Sequence, residues 1–293
     1  MRGALTRGLS LFLLAWPSLA WSQSEPERLS GSLAAEAEKL LREGEEAYRQ
    51  HHWDKSENDF RAAIALREKA LGQTHPTLAA DLNKFAWVLA ARGKLDEAEA
   101  QLRRVLTIRE TTLGAEHASV ASTCTDLALL LARTENLKEA VPLLLRAHAI
   151  RRKCFGPENP ETAKSLYLLA TFALMVDPPD PAEAAARLLD QAERYLKQAL
   201  AIQEKTLGTE HLDVAATLEA LANVEARRKQ WDAAEKRLKR VLEIREKRLA
   251  PDDPELANTI DAYVSYLSAG HQDRRTKKEV ESLTARSKAI RLK

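Results

Sequence analysis

Three histidines recur at one place in a repeating stretch: His75 in "LGQTHPTLA", His117 in "LGAEHASVA" and His211 in "LGTEHLDVA". Imidazoles at a fixed interval could ligate a metal or act as general bases. The stretch also returns as "FGPENPETA" from Phe155 and "LAPDDPELA" from Leu249, so the full column reads His75, His117, Asn159, His211, Asp253. Zinc ligands must converge to about 2 Å from one ion. Equivalent residues of stacked helical units stand about 10 Å or more apart, and Asn159 interrupts the series. A joint between helices fits the residue types better. Gly72, Gly114, Gly156 and Gly208 fall three residues before the column, where a left-handed residue closes a helix. Asn and Asp are strong N-caps. Pro76, Pro160 and Pro254 follow directly, and proline favours the first helical position.

Other chemistry finds no footing in the chain. There is no Gly-rich phosphate loop, no Gly-x-Ser-x-Gly turn and no His-Glu-x-x-His. Carboxylates sit beside Lys and Arg at helical spacing, as in "KLDEAEAQLRRVL", which marks solvated helix faces. No enzyme activity, cofactor or metal is expected. Of the two cysteines, Cys124 stands in a column otherwise filled by Leu82, Leu166, Leu218 and Ile260. It reads as a core thiol, and no bridge to Cys154 is expected.

The first residues are a different object. "MRGALTRGLSLFLLAWPSLAWSQS" places Arg2 and Arg7 before an apolar run from Leu9 to Trp16, followed by small residues at Ser18, Ala20 and Ser22. This predicts a secretory signal peptide over 1–22, cut after Ala20 or Ser22. The run is about half the length a spanning helix needs, so no stable membrane span is expected after cleavage. Residues 23–32 are expected to form a flexible linker. The periplasm is the expected destination, with secretion as the alternative. Losing Arg2 and Arg7 brings the 45 basic residues to parity with the 43 acidic ones, so nothing in the net charge calls for nucleic acid. A local basic excess remains at the C-terminus (Arg274, Arg275, Lys277, Lys278, Arg286, Lys288, Arg291, Lys293), which reads as a solvated terminal helix.

The elements follow from the repeat. The apolar share is 45% and the aromatic share 5%, with few Gly and Pro, a balance that suits long helices. Gly72, Gly114 and Gly156 are 42 residues apart; Gly208 follows 52 later and Ala250 another 42. Three alanine or near-alanine columns keep the same register: Ala79, Ala121, Ala163, Ala215, Ala257; Ala86, Ala128, Ala170, Ala222, Val264; and Ala98, Ala140, Ala192, Ala234. So does the column Leu66, Ile108, Ile150, Ile202, Ile244. Each unit holds two amphipathic helices, here called A and B. In the second unit A spans about Pro76 to Arg92. B spans about Asp96 to Leu113, with Ala98, Leu102, Val105 and Ile108 or Arg109 on one face. Neither helix can bury its apolar face alone, so the units must stack.

Gly44, Ala47-Tyr48, Trp53, Phe60 and Ala63 in the first unit resemble a tetratricopeptide repeat. The 42-residue units with "LGxxHPxxAxxL" and "GKLDEAEAQLRRVLTIRE" resemble the kinesin-light-chain-like variety of that family, in a bacterial exported form. The resemblance covers about residues 33 to 292. It implies an all-α, right-handed α-solenoid of about six stacked antiparallel helix pairs over 33–293. The units are 33–72, 75–114, 117–156, 159–208 with an insertion at 177–187, 211–250 and a charged capping unit 253–292. It also implies a concave groove lined by helix A that binds a protein or peptide partner. On that implication the groove residues are Leu41 and Tyr48, then Asn83, Trp87, Thr125, Leu129, Tyr167, Thr171, Leu174, Met175, Glu219, Asn223 and Arg227. The first four units offer an apolar, aromatic-bearing strip and the last two a polar one. Ordinary packing between helices could equally absorb Trp87 and Tyr167. Asparagines that family members often carry in helix A are matched only by Asn83 in the column Asn83, Thr125, Tyr167, Glu219, Asp261, so the family's peptide preference does not transfer. A monomer is expected. The alternative to a scaffold is an envelope assembly element that self-associates through its solenoid ends.

Overall fold

The computed structural model describes residues 25–176, 181–270 and 274–292. The signal-peptide segment and Pro178-Pro179 lie outside the described residues. Among those described, twelve α-helices and no strands are found. The chain divides at His75 into two compact units.

The first unit is one antiparallel helix pair, α1 (Glu25–Arg49) and α2 (Trp53–Leu71). Helix α1 already runs at Glu25, so residues 25–32 are helical where a linker was expected. Gly44 lets the two helices close: a Cβ on it would lie 2.9 Å from the Phe60 ring. Ser56 Oγ donates to the Gly44 carbonyl at 2.8 Å. Leu41 is buried between the helices rather than facing outward, whereas Tyr48 is exposed and meets Trp53 edge-on at 5.1 Å.

The second unit holds the remaining five pairs: α3 (Pro76–Ala91) with α4 (Leu95–Leu113), α5 (Ala118–Arg133) with α6 (Leu137–Phe155), α7 (Pro160–Met175) with α8 (Pro181–Leu207), α9 (Leu212–Arg227) with α10 (Trp231–Arg248), and α11 (Pro254–Gly270) with α12 (Arg274–Arg291). Each helix packs on its partner, and each B helix packs on the A helix that follows. This is an all-α repeat solenoid. The alanine columns at 79, 86 and 98 and their equivalents through 257 are buried, which lets backbones approach closely. Leu102, Leu144, Leu196 and Leu238 fill the space between A and B in successive pairs and are essentially inaccessible.

The recurring histidine stretch is a joint. His117 Nδ1 accepts from the Ser119 amide at 3.1 Å and His211 Nδ1 from that of Asp213 at 3.0 Å. Asn159 Oδ1 and Asp253 Oδ1 do the same for Glu161 and Glu255, both at 2.8 Å. Four residues of one column therefore cap four helices. The preceding glycines differ from the expected left-handed turn. Gly72, Gly114 and Gly156 have φ of 88–89° but ψ of 150–166°, an extended positive-φ conformation open essentially to glycine alone. Where Ala250 replaces glycine, α10 stops early at Arg248, and Leu249 closes it at φ −104°. The extra residues of the fourth unit lengthen α8 to 27 residues, against 19 for α4 and α6.

Candidate partner-binding face

The face in question is built from one side of each A helix in the second unit. Except for Thr125, residues at positions equivalent to 83, 87 and 91 stay outside the apolar core because the core side of each A helix is taken by the alanine and leucine columns. Asn83, Trp87, Leu129, Tyr167, Thr171, Leu174, Glu219 and Asn223 are half-buried, and Met175 and Arg227 are exposed. Thr125 is buried, with its hydroxyl accepting from Arg151 Nη1 at 2.9 Å, so it is part of the wall. Tyr167 and Leu174 pack against the core cluster of Ala170, Ala173, Ala192, Leu196, Leu221 and Val224. Packing thus takes up part of the aromatic strip, as one of the two sequence readings allowed.

Contacts between successive A helices align these side chains. Arg227 Nη1 donates to the Leu174 carbonyl at 3.0 Å, placing a cation on the C-terminal end of α7, where the helix dipole favours one. Asn83 on α3 hydrogen-bonds Asp126 on α5. The Oδ1 atoms of Asn83 and Asn223 are buried and have no hydrogen-bond partner among the described residues.

Sequence reasoning missed Asp126 and the layer beneath it. Burial pushes the Asp126 carboxyl above the usual aspartate range, against the opposing hydrogen bond of Asn83 and the charges of Arg109 and Arg151. A carboxyl whose folded pKa is raised stabilises the fold fully only below its unfolded pKa; that stability is lost as pH rises through the folded pKa. Asp126→Asn is therefore expected to gain stability relative to the unmodified protein as pH rises from about 3 to about 7. Melting curves at the two pH values check this, and an unchanged difference between them would overturn it.

The layer beneath is a polar ladder between units. Column residues Thr123, Ser165, Thr217 and Thr259 on helix A are completely buried. Arg109 Nη1 donates to Thr123 Oγ1 at 2.7 Å, and Thr217 Oγ1 donates to Gln203 Oε1 at 2.7 Å. Arg245 Nη1 donates to Thr259 Oγ1 at 2.5 Å, while its Nη2 reaches Glu219 at 2.8 Å and Glu255 at 3.0 Å. Arg109, Arg151, Gln203 and Arg245 stand one residue after the isoleucine column Ile108, Ile150, Ile202, Ile244. That regular spacing was the available signal. The basic run of α12 is partly neutralised, Arg286 by Glu246 and Arg291 by Asp261.

Among the described residues no group of three His, Cys, Asp or Glu side chains is placed to hold a metal ion, and no helix is long and apolar enough to cross a membrane. Cys124 and Cys154 are both free thiols, the first buried and the second exposed.

The sequence profile of the tetratricopeptide repeat matches residues 36–111, 116–187, 182–247 and 213–266. No curated protein matches the chain. Among solved structures, the nearly identical TPR-like repeats of a Podosopora anserina kinesin light chain-type protein are 26% identical, with 74% of this chain and 96% of that one aligned and a TM-score of 0.57. BtubC (BKLC) from P. vanneervenii is 19% identical over 92% of each chain, with a TM-score of 0.62. A Rap protein complexed with competence and sporulation factor is 17% identical, covering 86% of this chain and 64% of that one, with a TM-score of 0.60.

Proposed function

Because the chain belongs to the tetratricopeptide repeat family, we propose that it is a scaffold that holds a protein or peptide partner along the helix-A face of the second unit. Repeats of this family are generally non-catalytic and serve protein–protein interaction. The observation that carries the reading is the row of side chains left outside the core on one side of the A helices, with Trp87, Leu129, Asn83 and Asn223 half-buried and Met175 exposed. Apolar side chains of an extended partner would cover Trp87 and Met175. The Rap protein complexed with its factor supports ligand binding by a stack of this fold. We also place the protein in the cell envelope, exported by residues 1–22. N-terminal sequencing of the mature chain should then begin at Trp21 or Gln23.

Crosslinked affinity capture tests the scaffold reading. The mature protein is compared with a Trp87→Ala, Met175→Ala variant, which removes one half-buried and one exposed apolar side chain of this face. A partner captured by the first and lost from a variant with unchanged helicity supports the reading. The same partners captured by both would exclude this face.

A further inference from the structure

A cavity of about 390 Å³ opens between α6, α7 and α8, lined by His148, Arg152, Pro157, Thr162, Leu166, Gln198, Ala201 and Ile202. It lies at the junction of the second and third pairs of the second unit. The repeat itself supplies the comparison, because the same positions at the other junctions carry different residues. Arg152 stands where Glu110, Glu204 and Glu246 stand, and Gln198 where Arg146 and Arg240 stand. At the other junctions a carboxylate closes this gap: Glu110 pairs with Arg146 at 2.5 Å, Glu204 with Arg240 at 2.6 Å, and Glu246 with Arg286. Here the pair is gone and its sign is reversed. Among the described residues no carboxylate pairs with Arg152, and none lines the cavity.

Two further columns turn polar at the same spot. His148 replaces Leu106, Leu200 and Leu242, and Thr162 replaces Val120, Val214 and Leu256. Those leucines and valines fill apolar clusters at their own junctions, whereas the cluster here is reduced to Ala163, Leu166 and Ala199 with partly buried neighbours. Ser165 Oγ donates to the Thr162 carbonyl at 2.7 Å, so its 2.8 Å bond to His148 must be donated by the Nδ1–H. That fixes the tautomer and leaves Nε2 as the ring's free nitrogen.

The geometry points to a binding site for a small organic anion, a carboxylate or phosphate group on a short apolar body. The oxyanion takes the place of the missing glutamate opposite Arg152, with the Gln198 amide as second donor, while His148, whose free Nε2 carries a lone pair, lines the wall and donates nothing to the anion. The apolar body rests on Leu166, Ala201 and Ile202. The volume falls in the range of small-molecule sites. This site is separate from the helix-A face, so it stands or falls independently of the scaffold reading.

The test follows the His148 ring resonances of the full protein by NMR, assigned by their loss in His148→Leu. The protein is titrated separately with inorganic phosphate, with sodium butyrate and with sodium chloride at matched ionic strength. A saturable shift with phosphate or butyrate and none with chloride is expected, and the stronger binder identifies which oxyanion the site takes. An Arg152→Glu, Gln198→Arg variant rebuilds the ion pair of the neighbouring junctions and should fold normally, while its affinity falls at least about tenfold. No saturable shift with either anion, the same shift with chloride, or unchanged affinity in the rebuilt variant overturns the proposal.

Discussion

Leu196→Ala is expected to lower the unfolding free energy by about 3 kcal/mol, whereas Ile290→Ala should leave the main transition almost untouched. Leu196 is completely buried on α8 and sits among Ala170, Ala173, Ala192, Leu221 and Val224, so one side chain joins α7, α8 and α9. Its alanine neighbours carry no extra methyl groups that could swing into the void, which keeps the cavity term near its full size. Ile290 also lies in a core cluster, with Leu256, Ala257 and Ile260, but that cluster sits at the end of the array, and only Leu242 of α10 reaches it from the preceding pair. In an array held by nearest-neighbour interfaces, loss at an end loosens the end and loss in the middle uncouples both sides. Urea unfolding should therefore show a lower midpoint with an unchanged slope for Leu196→Ala. For Ile290→Ala, hydrogen exchange should show lost protection confined to α11 and α12. Equal midpoint shifts in the two variants would mean that the second unit unfolds as one block and that the end is not separable.

The fold was legible because the repeat constrains each residue five times over. A column of alanines at one register position can only be a close helix–helix approach, and Ala79 through Ala257 are buried as that column requires. The joint was equally readable, since Asn159 and Asp253 in place of histidine argued for capping, and His117 and His211 cap as they do. Its backbone was not, because a positive-φ glycine can close a helix with either of two ψ values and the sequence does not distinguish them. The face was only partly legible. Helical spacing placed Asn83, Trp87, Glu219 and Asn223 on one side, but exposure depends on how far the neighbouring helix leans over. Thr125 is buried and Tyr167 packs into a cluster for that reason. The ladder escaped notice because Ile108 and Arg109 both lie at the edge of the apolar face, and periodicity alone cannot say that an arginine there turns inward. The anion cavity was hidden differently: its residues are ordinary one by one and stand out only against their equivalents at the other junctions.

Arg245 is where the ladder carries the most charge, and its replacement separates two roles. Its side chain is 7% exposed, with Nη1 on Thr259 and Nη2 shared between Glu219 and Glu255, while Nε has no partner among the described residues. Arg245→Ala removes the guanidinium, leaves a cavity between α9, α10 and α11, and strips Thr259 of its donor. About 3 kcal/mol of destabilisation is expected, at the low end for a broken buried pair. Glu219 and Glu255 hold it there, because at 35% and 51% exposure both can turn back to water. Arg245→Gln should cost far less, about 1 kcal/mol. The preceding junction already works with an amide: Gln203 is 2% exposed and accepts from Thr217. A glutamine at 245 can accept from Thr259 in the same way, so the hydrogen bond survives and only the two partly solvated ion pairs are lost, each worth little. Urea midpoints of the two variants decide the matter. If glutamine proves as costly as alanine, the ion pairs rather than the buried hydrogen bond hold this junction. If both are silent, the ladder contributes registry between repeats without contributing stability.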